Sequence, residues 1–169
     1  MKLLLEGWRQ YLEEIEGMTP IPGLDTPEGK QQSIDYFWLE HAANMEKAGK
    51  AKREHLDDWR GFQVVRFNLP KGEAFYFLMD NDIPKAYIAV EAYNDGIKIG
   101  NVRKAEHAGF YMSDLYKWLI DQSGALYSDA TQTPEGKRIW TYLRQDPELN
   151  VEKVDALGGL SWGWKATRK

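Results

Sequence analysis

Histidine, cysteine and clustered carboxylates are the side chains that bind metals, and this chain has few of them at a useful spacing. It has no cysteine, and its three histidines are His41, His55 and His107. They do not form a His-x-x-x-His or His-x-His pair, which would place two imidazoles on one side of a helix or strand. Asp80-Asn-Asp82 lacks the spacing and the final glutamate of a calcium loop, so it is better interpreted as a turn. The sequence therefore predicts no metal site.

The pair Ser128-Asp129 places a hydroxyl next to a carboxylate. A hydrolytic triad also needs a histidine that takes the serine proton, and nothing in the order of the residues favours one. We therefore interpret Asp129 and Thr133 as residues that order a loop and cap the helix after it.

The charge balance argues against a nucleic-acid partner. The 169 residues include 22 Lys and Arg against 26 Asp and Glu, a net charge of −4, whereas nonspecific nucleic-acid binding depends on clustered positive charge. One basic run is an exception, but acidic residues follow it at once, so we interpret it as the solvated end of a helix. The run comprises Lys47, Lys50, Lys52 and Arg53.

Two helices are predicted from the same start signal, a threonine followed by proline and glutamate. Thr26-Pro27-Glu28 begins a helix that runs to about Ala48, and Thr133-Pro134-Glu135 begins another that runs to about Gln145. The threonine hydroxyl can accept a hydrogen bond from an unpaired amide, and proline suits the first helical position. Glutamate is stabilised near the positive end of the helix.

Two more segments place apolar residues at helical spacing. They cover about residues 2–16 and about residues 109–122, and Gly124 is expected to end the second. This spacing predicts amphipathic helices that bury one face.

From Phe62 onward the apolar period changes to that of β-strands. Lys85 to Tyr93 alternates between an aliphatic face and a second face, and Asn94-Asp-Gly96 follows as a tight turn. We therefore expect an antiparallel meander of about four strands, followed by three short strands. The predicted strands are 62–69, 75–79, 85–93 and 97–102, then 125–128, 151–157 and 160–166.

The order of strands, helix, strand, helix and strands predicts an α+β fold. We expect a mixed, mainly antiparallel sheet flanked by helices, with an added N-terminal helical segment. Prolines and a glycine make residues 18–25 an extended connector. Residues 1–25 are therefore assigned to an N-terminal amphipathic helix and connector, and residues 26–169 to a single domain.

The segment Tyr127–Leu143 contains the pattern Ser-Asp…Gln-Thr…Gly…Trp…Leu. Together with the element order over residues 62–166, this pattern resembles the GNAT acetyltransferase superfamily, and in particular the small GNAT-like proteins of tailed bacteriophages. The resemblance implies that acetyl-coenzyme A binds between the fourth and fifth strands of the core. Backbone amides at the start of the third helix would hold its pyrophosphate.

The family carries Arg/Gln-x-x-Gly-x-Gly/Ala at that helix start. The matching stretch of this chain runs from Val102 to Met112 and keeps only Gly109 of the pattern. His107 stands at the Arg or Gln position, and Phe110 and Met112 replace small residues. The cofactor-binding residues that the resemblance implies are Val102, His107, Gly109, Phe110, Tyr111 and Met112.

Many family members use a tyrosine of the fourth helix to protonate the departing thiolate. Trp140 stands at that position here, and Tyr142 is the nearest phenol on the same helix. The family's general base is often a carboxylate on the fourth strand, for which Glu91 is the candidate and Glu106 the alternative. The resemblance thus implies Tyr142 and Glu91 as catalytic residues, although Glu91 also fits a solvent-facing strand position.

Two functions follow from the resemblance. The first is a phage-encoded acyltransferase that moves an acetyl group from acetyl-coenzyme A to an amine of a small molecule or a protein. The alternative is a catalytically inactive GNAT-fold protein that acts as a virion component or binds a phage or host protein. We expect no nucleic-acid partner, because of the charge balance. We also expect no membrane association, because no apolar stretch approaches the length of about 20 residues that a bilayer requires.

The expected location is the cytoplasm of a bacterial host, with packaging into a virion as the alternative. Residues 1–14 resemble the amphipathic leaders of packaged phage proteins, which are trimmed after Leu/Ile-x-Glu. Leu4-Leu5-Glu6 and Leu12-Glu13-Glu14 fit that rule. The competing interpretation is a helix that packs on the domain.

Overall fold

The computed structural model describes residues 26–129, 132–155 and 162–169. The helix predicted over residues 2–16, the connector 18–25 and the candidate cleavage sites lie outside them. The described chain is an α+β fold with one eight-stranded sheet, which is antiparallel except for one pair of strands. The predicted fold class, a mixed and mainly antiparallel sheet with flanking helices, is confirmed.

Helix α1 is one long N-terminal helix with an internal change of pitch. It comprises the α-helical stretch Pro27–Tyr36, the π-helical stretch Phe37–Ala42 and the α-helical stretch Ala43–Lys47. Thr26 caps it, because its hydroxyl oxygen accepts a hydrogen bond from the amide of Gly29 at 3.1 Å. The start signal read from the sequence is therefore confirmed.

Five antiparallel strands follow in a meander joined by short turns. Their bounds are β1 Lys52–Trp59, β2 Phe62–Asn68, β3 Glu73–Asp80, β4 Ile83–Tyr93 and β5 Gly96–Lys104. Asn94 adopts a φ of 48° in the predicted tight turn between β4 and β5.

The basic run that we interpreted as the end of a helix spans two elements: Lys47 ends helix α1, but Lys52 and Arg53 belong to strand β1. Helix α1 ends at Lys47, and Lys52 begins a strand that pairs along its length with β2. The reason is the position of β1 at the edge of the sheet, where charged side chains discourage pairing with another chain and no continuous apolar face is required. The expected meander of about four strands therefore has five.

The second half of the chain alternates helices and strands. Its elements are α2 Met112–Ser123, β6 Ala125–Tyr127, α3 Pro134–Gln145, β7 Leu149–Asp155 and β8 Trp162–Arg168. Gly124 ends α2 with a φ of 83°, and Thr133 caps α3 by accepting a hydrogen bond from the amide of Gly136 at 3.1 Å. Helix α2 begins three positions later than residue 109, where the sequence placed it.

Helices cover both faces of the sheet. On one face, the π-helical part of α1 packs its rings on β3 and β4, with ring centroids 4.4 Å apart for Phe37 and Tyr87. On the other face, Trp118 of α2 contacts Tyr76 of β3 edge to face at 6.0 Å. Tyr76 and Phe77 are adjacent in β3 and therefore point to opposite faces. Both faces belong to one continuous core of buried apolar residues.

Candidate functional site

The sheet opens between its two parallel strands. The order of strands is β1-β2-β3-β4-β5-β6-β8-β7, and β5 and β6 pair only at Ile97 with Leu126 and at Lys98 with Tyr127. Beyond Lys98, strand β5 continues to Lys104 without a strand partner on that side among the described residues. A cleft therefore opens where the two strands diverge.

A β-bulge turns β5 away from β6 at this point. Ile88 pairs with Val102 and Val90 with Ile99, so β5 contains one extra residue across from β4. A bulge bends its strand and increases the local twist. The extra residue lies in the part of β5 that borders the cleft, and the bulge is therefore one structural cause of the opening.

The cleft holds a cavity of about 290 Å³. Its walls are residues 99–104 of β5, the start of α2, the two residues after β6 and the N-terminal part of α3, together with Lys30 of α1. Ligand sites in proteins commonly enclose about 300–1,000 Å³. The cavity is thus just below that range and suits a narrow group.

The lining carries more positive than negative charge. It includes three cations, Lys30, Arg103 and Lys104, and two carboxylates, Asp129 and Glu135. The Lys104 ammonium donates a hydrogen bond to the carbonyl of Phe110 at 3.0 Å. Burial, and then the charge of Lys30, lowers the pKa of Lys104 below its usual value. An anion in the cavity would relieve both effects.

Two helices begin at the cavity. Met112 is the first residue of α2 and lines the cavity, and the preceding Tyr111 makes no side-chain cap. The amides of Met112 and Ser113 therefore have no hydrogen-bond acceptor within the described residues. Thr133 and Gly136 at the start of α3 also line the cavity. Helix N-termini favour anions, and two of them strengthen the positive potential of the lining.

One phenol lies in the cavity wall. Tyr116 of α2 is only 4% exposed and lines the cavity, and its hydroxyl has no hydrogen-bond partner in the described part of the chain. Burial raises the pKa of Tyr116, so the phenol stays protonated at neutral pH. Its ring contacts the buried indole of Trp140 on α3, with centroids 6.2 Å apart. Tyr116 therefore adds a neutral phenol to the residues that line the cavity.

The structure separates the residues that we predicted to bind a cofactor. Val102 and Met112 line the cavity. The side chains of His107 and Tyr111 are 92% and 76% exposed and do not line it. Gly109 is also exposed and outside the lining, with a φ of 83° in the loop before α2.

Phe110 belongs to a separate aromatic cluster. It is buried against Trp59 and Phe62, with ring centroids 5.3 and 5.2 Å away. Its backbone carbonyl nonetheless borders the site, because it accepts the hydrogen bond from Lys104. Phe110 thus positions a cation of the lining instead of lining the cavity itself.

The two predicted catalytic residues do not line the cavity either. Tyr142 is 65% exposed on α3. Glu91 pairs across the sheet with Lys98 of β5, and its carboxylate lies 3.2 Å from the Lys98 ammonium. Lys98 is the last residue of β5 that pairs with β6, so this ion pair lies at the point where the strands separate.

Most of the lining, including Lys30, Lys104 and Tyr116, was absent from the sequence-based site. Lys30 and Lys104 lie in elements far apart in the chain, and Tyr116 follows Leu115 on the buried face of α2, where it looks like an ordinary core residue. The one usable signal was the sequence pattern between Ser128 and Trp140, since Ser128, Asp129 and residues within 132–140 supply one wall of the cavity.

No helix in the described ranges is long and apolar enough to cross a membrane. The described residues also contain no group of three or more histidine, aspartate or glutamate side chains that could hold a metal. No protein-family model matches the chain, and no curated protein matches it.

Proposed function

We propose that this protein is a GNAT-like acyltransferase that binds acetyl-coenzyme A in the cleft between β5 and β6 and transfers the acetyl group to an amine. The observation that carries the proposal is the divergence of the two parallel strands at a cationic cavity. Coenzyme A consists of a narrow arm with two amides, a thiol at the tip and an anionic nucleotide. The cleft offers complementary features for each part.

The arm of coenzyme A matches the open edge of β5. Residues 99–104 border the cavity and, among the described strands, pair only with β4, which leaves their other side open to an extended chain that contains amides. The volume of about 290 Å³ accommodates such an arm but not a nucleotide as well. We therefore assign the cavity to the arm and the surface at its mouth to the nucleotide.

The phosphates match the cationic side of the lining. Lys104 and Lys30 influence each other electrostatically, and the amides at the start of α2 lie at the same cavity. Ammonium groups and helix N-termini are the usual partners of phosphate in proteins. This assignment retains Met112 from the sequence-based site and replaces His107 by lysines.

The lining contains groups for the proton transfers that acyl transfer needs. Coenzyme A supplies an activated acyl carbonyl, and formation of the new N–C bond breaks a C–S bond. The amine must therefore lose a proton and the sulfur must gain one. We assign Tyr116 as the proton donor and Asp129 as the acceptor, with solvent returning the proton from Asp129 to Tyr116 after turnover.

Binding calorimetry and an acetyl-transfer assay with a panel of amines test the proposal. Tyr116→Phe should lower turnover by about 10²-fold, the lower end for one general acid, with coenzyme A affinity nearly unchanged. Tyr142→Phe is the matched control, because it removes the same hydroxyl from an exposed position and should change neither quantity. Absence of coenzyme A binding to the unmodified protein at millimolar concentration would refute the proposal.

The second candidate function is a binding protein without catalysis, such as a virion component or a host-interaction module. It is favoured by an exposed aromatic surface on β8, where Trp162 is 47% exposed and contacts Trp164 edge to face at 5.2 Å. Lys153 and Arg144 lie over these indoles at 4.2 and 4.6 Å. Exposed tryptophans are frequent at protein interfaces. Bound coenzyme A without acetyl transfer to any amine would favour this candidate.

A further inference from the structure

The hydroxyl hydrogen of Ser128, in the cavity wall, has no acceptor among the described residues. Ser128 directly follows β6, is 7% exposed and lines the cavity. Its oxygen accepts two hydrogen bonds, from Nε2 of Gln132 at 2.9 Å and from the backbone amide of Trp164 at 2.9 Å. A hydroxyl has two lone pairs and one hydrogen. Because both lone pairs are engaged, Ser128 is suited to donate a hydrogen bond and poorly suited to act as a nucleophile.

The side chain of Gln132 complements this donor with an acceptor. Its Nε2 also donates to the backbone carbonyl of Asp129 at 3.2 Å. That carbonyl only accepts, which fixes which end of the Gln132 amide is nitrogen. Oε1 of Gln132 is then buried without a hydrogen-bond partner among the described residues. A buried acceptor without a partner is unfavourable, and a ligand N–H would satisfy it.

Strand β8 holds this pair in place. The amide of Ser128 donates to the carbonyl of Trp164 at 2.9 Å, while the amide of Trp164 donates to the Ser128 hydroxyl. A Cβ atom added to Gly163 would lie 2.9 Å from the Ser128 hydroxyl oxygen. The backbone of β8 therefore approaches Ser128 so closely that glycine is required at position 163. The donor and the acceptor are therefore preorganised, which lowers the entropy cost of binding.

We propose that Ser128 and Gln132 form an amide-recognition pair, in which Ser128 donates to a ligand carbonyl and Oε1 of Gln132 accepts from a ligand N–H. The inference deepens the proposed function, because the arm of coenzyme A carries amides. It rests on that function for the identity of the ligand and on the hydrogen-bonding capacities of the two side chains for its chemistry. It makes the inner cavity selective for an amide over an ester of the same size.

Nuclear magnetic resonance titration of the full chain with two small probes tests this selectivity. Acetamide offers a carbonyl and N–H groups, whereas methyl acetate offers a carbonyl alone. The shifts of the Gln132 side-chain amide and the Ser128 backbone amide report binding. We expect acetamide to bind about fivefold more tightly than methyl acetate, the ratio that one neutral hydrogen bond gives.

Two variants separate the donor from the acceptor. Ser128→Ala should weaken both probes about fivefold, and Gln132→Met should abolish the preference for acetamide while methyl acetate still binds. Ser123→Ala and Gln31→Met are the matched controls, because they make the same changes outside the cavity and should leave both affinities as they are. The ratio in the unmodified protein needs no substitution, so a variant that does not fold leaves the test intact.

Calorimetry with coenzyme A distinguishes failure of this inference from failure of the proposed function. If coenzyme A does not bind but the probe ratio and its loss in Gln132→Met are observed, the amide pair stands and the acyltransferase proposal falls. If coenzyme A binds but the probes show equal affinities or do not bind, the amide pair is refuted. Equal probe affinities in the unmodified protein refute it whatever the variants show.

Discussion

Replacement of Lys104 by methionine is the most direct test of the cationic side of the cavity. Lys104 ends β5, lines the cavity and donates from its ammonium to the Phe110 carbonyl at 3.0 Å. Burial is the main reason for its lowered pKa, and the charge of Lys30 adds to the effect. The positive charge of Lys104 is therefore partly buried and repelled by that of Lys30, and a negatively charged ligand group beside it would be favourable.

The expected magnitude follows from the bond that the phosphate would make. Hydrogen bonds to charged groups contribute about 1.5–3 kcal/mol, so Lys104→Met should weaken coenzyme A by about 10- to 150-fold. Pantetheine has the same arm without phosphates and should bind Lys104→Met as it binds the unmodified protein. Stability should change by less than about 1 kcal/mol, because the lost bond to Phe110 is offset by relief of burial and of repulsion from Lys30.

The pH dependence provides a second measurement of the same group. A phosphate needs the protonated ammonium, so affinity is full below the pKa of Lys104 and falls as pH rises through it. Because that pKa lies below the usual 10.5, the fall should begin at a lower pH than for an ordinary lysine. Lys104→Arg should remove the fall in this range, because guanidinium stays protonated.

Folding stability follows the opposite trend for this residue. The unfolded chain holds the Lys104 proton more tightly, so the contribution of Lys104 to stability rises with pH up to about 10.5. Calorimetry across this pH range with coenzyme A and pantetheine measures the binding terms. Lys50→Met is the matched control, because it removes one exposed positive charge outside the cavity. Equal weakening of coenzyme A and pantetheine by Lys104→Met would refute the phosphate assignment.

Two further substitutions test how the cleft is built. Gly96→Ala should destabilise the protein by more than about 3 kcal/mol, because a Cβ at Gly96 would overlap the backbone carbonyl of Ala125 where β5 meets β6. Gly100→Ala is the control: its Cβ would lie 3.6 Å from the nearest atom, a backbone oxygen, so this variant should be as stable as the unmodified protein. Asp146→Asn should lower the free energy of unfolding at pH 7 by about 1 kcal/mol, because the hydrogen bond from Lys117 is lost. This hydrogen bond lowers the pKa of Asp146, so its stabilisation is lost as the pH falls below the pKa of an ordinary carboxyl group, and the variant should show a smaller loss of stability in acid. Denaturant titration at several pH values measures both.

Local signals in the sequence were sufficient for most of the elements. The Thr-Pro-Glu starts of α1 and α3 each depend on one hydrogen bond between residues three positions apart. The alternation in β4 reflects a strand that buries most of its aliphatic row. These effects involve neighbours within four residues, so the sequence contains all the information that they need. The π-helical stretch of α1 had no such signal, since its rings follow the shape of the sheet beneath them.

Strand β1 shows where that approach failed. Its stretch contains charged residues on both faces, for example Arg53 and Glu54, and periodicity alone does not identify it. What makes it a strand is pairing with β2, where Glu54 accepts a hydrogen bond from Arg66 at 2.6 Å and another from Asn68 at 3.0 Å. Such cross-strand contacts are visible only once β2 is in place.

The candidate site was predictable only where one segment supplies it. The stretch from Ser128 to Trp140 was recognised as a pattern, and its described residues contribute one wall of the cavity. Lys30 could not be predicted, because it reaches the cavity only when α1 lies against the sheet. Trp140 occupies the position on α3 where the family has its tyrosine. Its indole contacts the ring of Tyr116, and this residue of α2 is the tyrosine in the described cavity lining.

The cavity combines two kinds of recognition, and a single ligand that uses both has a distinct thermodynamic signature. Lys104 and the start of α2 provide charge, while Ser128 and Gln132 provide neutral hydrogen bonds. If coenzyme A spans both groups, the binding free energies lost in Lys104→Met and Gln132→Met should add in the double variant, because the two side chains have no hydrogen bond or ion pair in common. Acetamide should respond only to Gln132→Met, and adenosine 3′,5′-bisphosphate only to Lys104→Met. If coenzyme A responds to only one of the two substitutions, it does not occupy the whole cleft, and the groups serve different ligands.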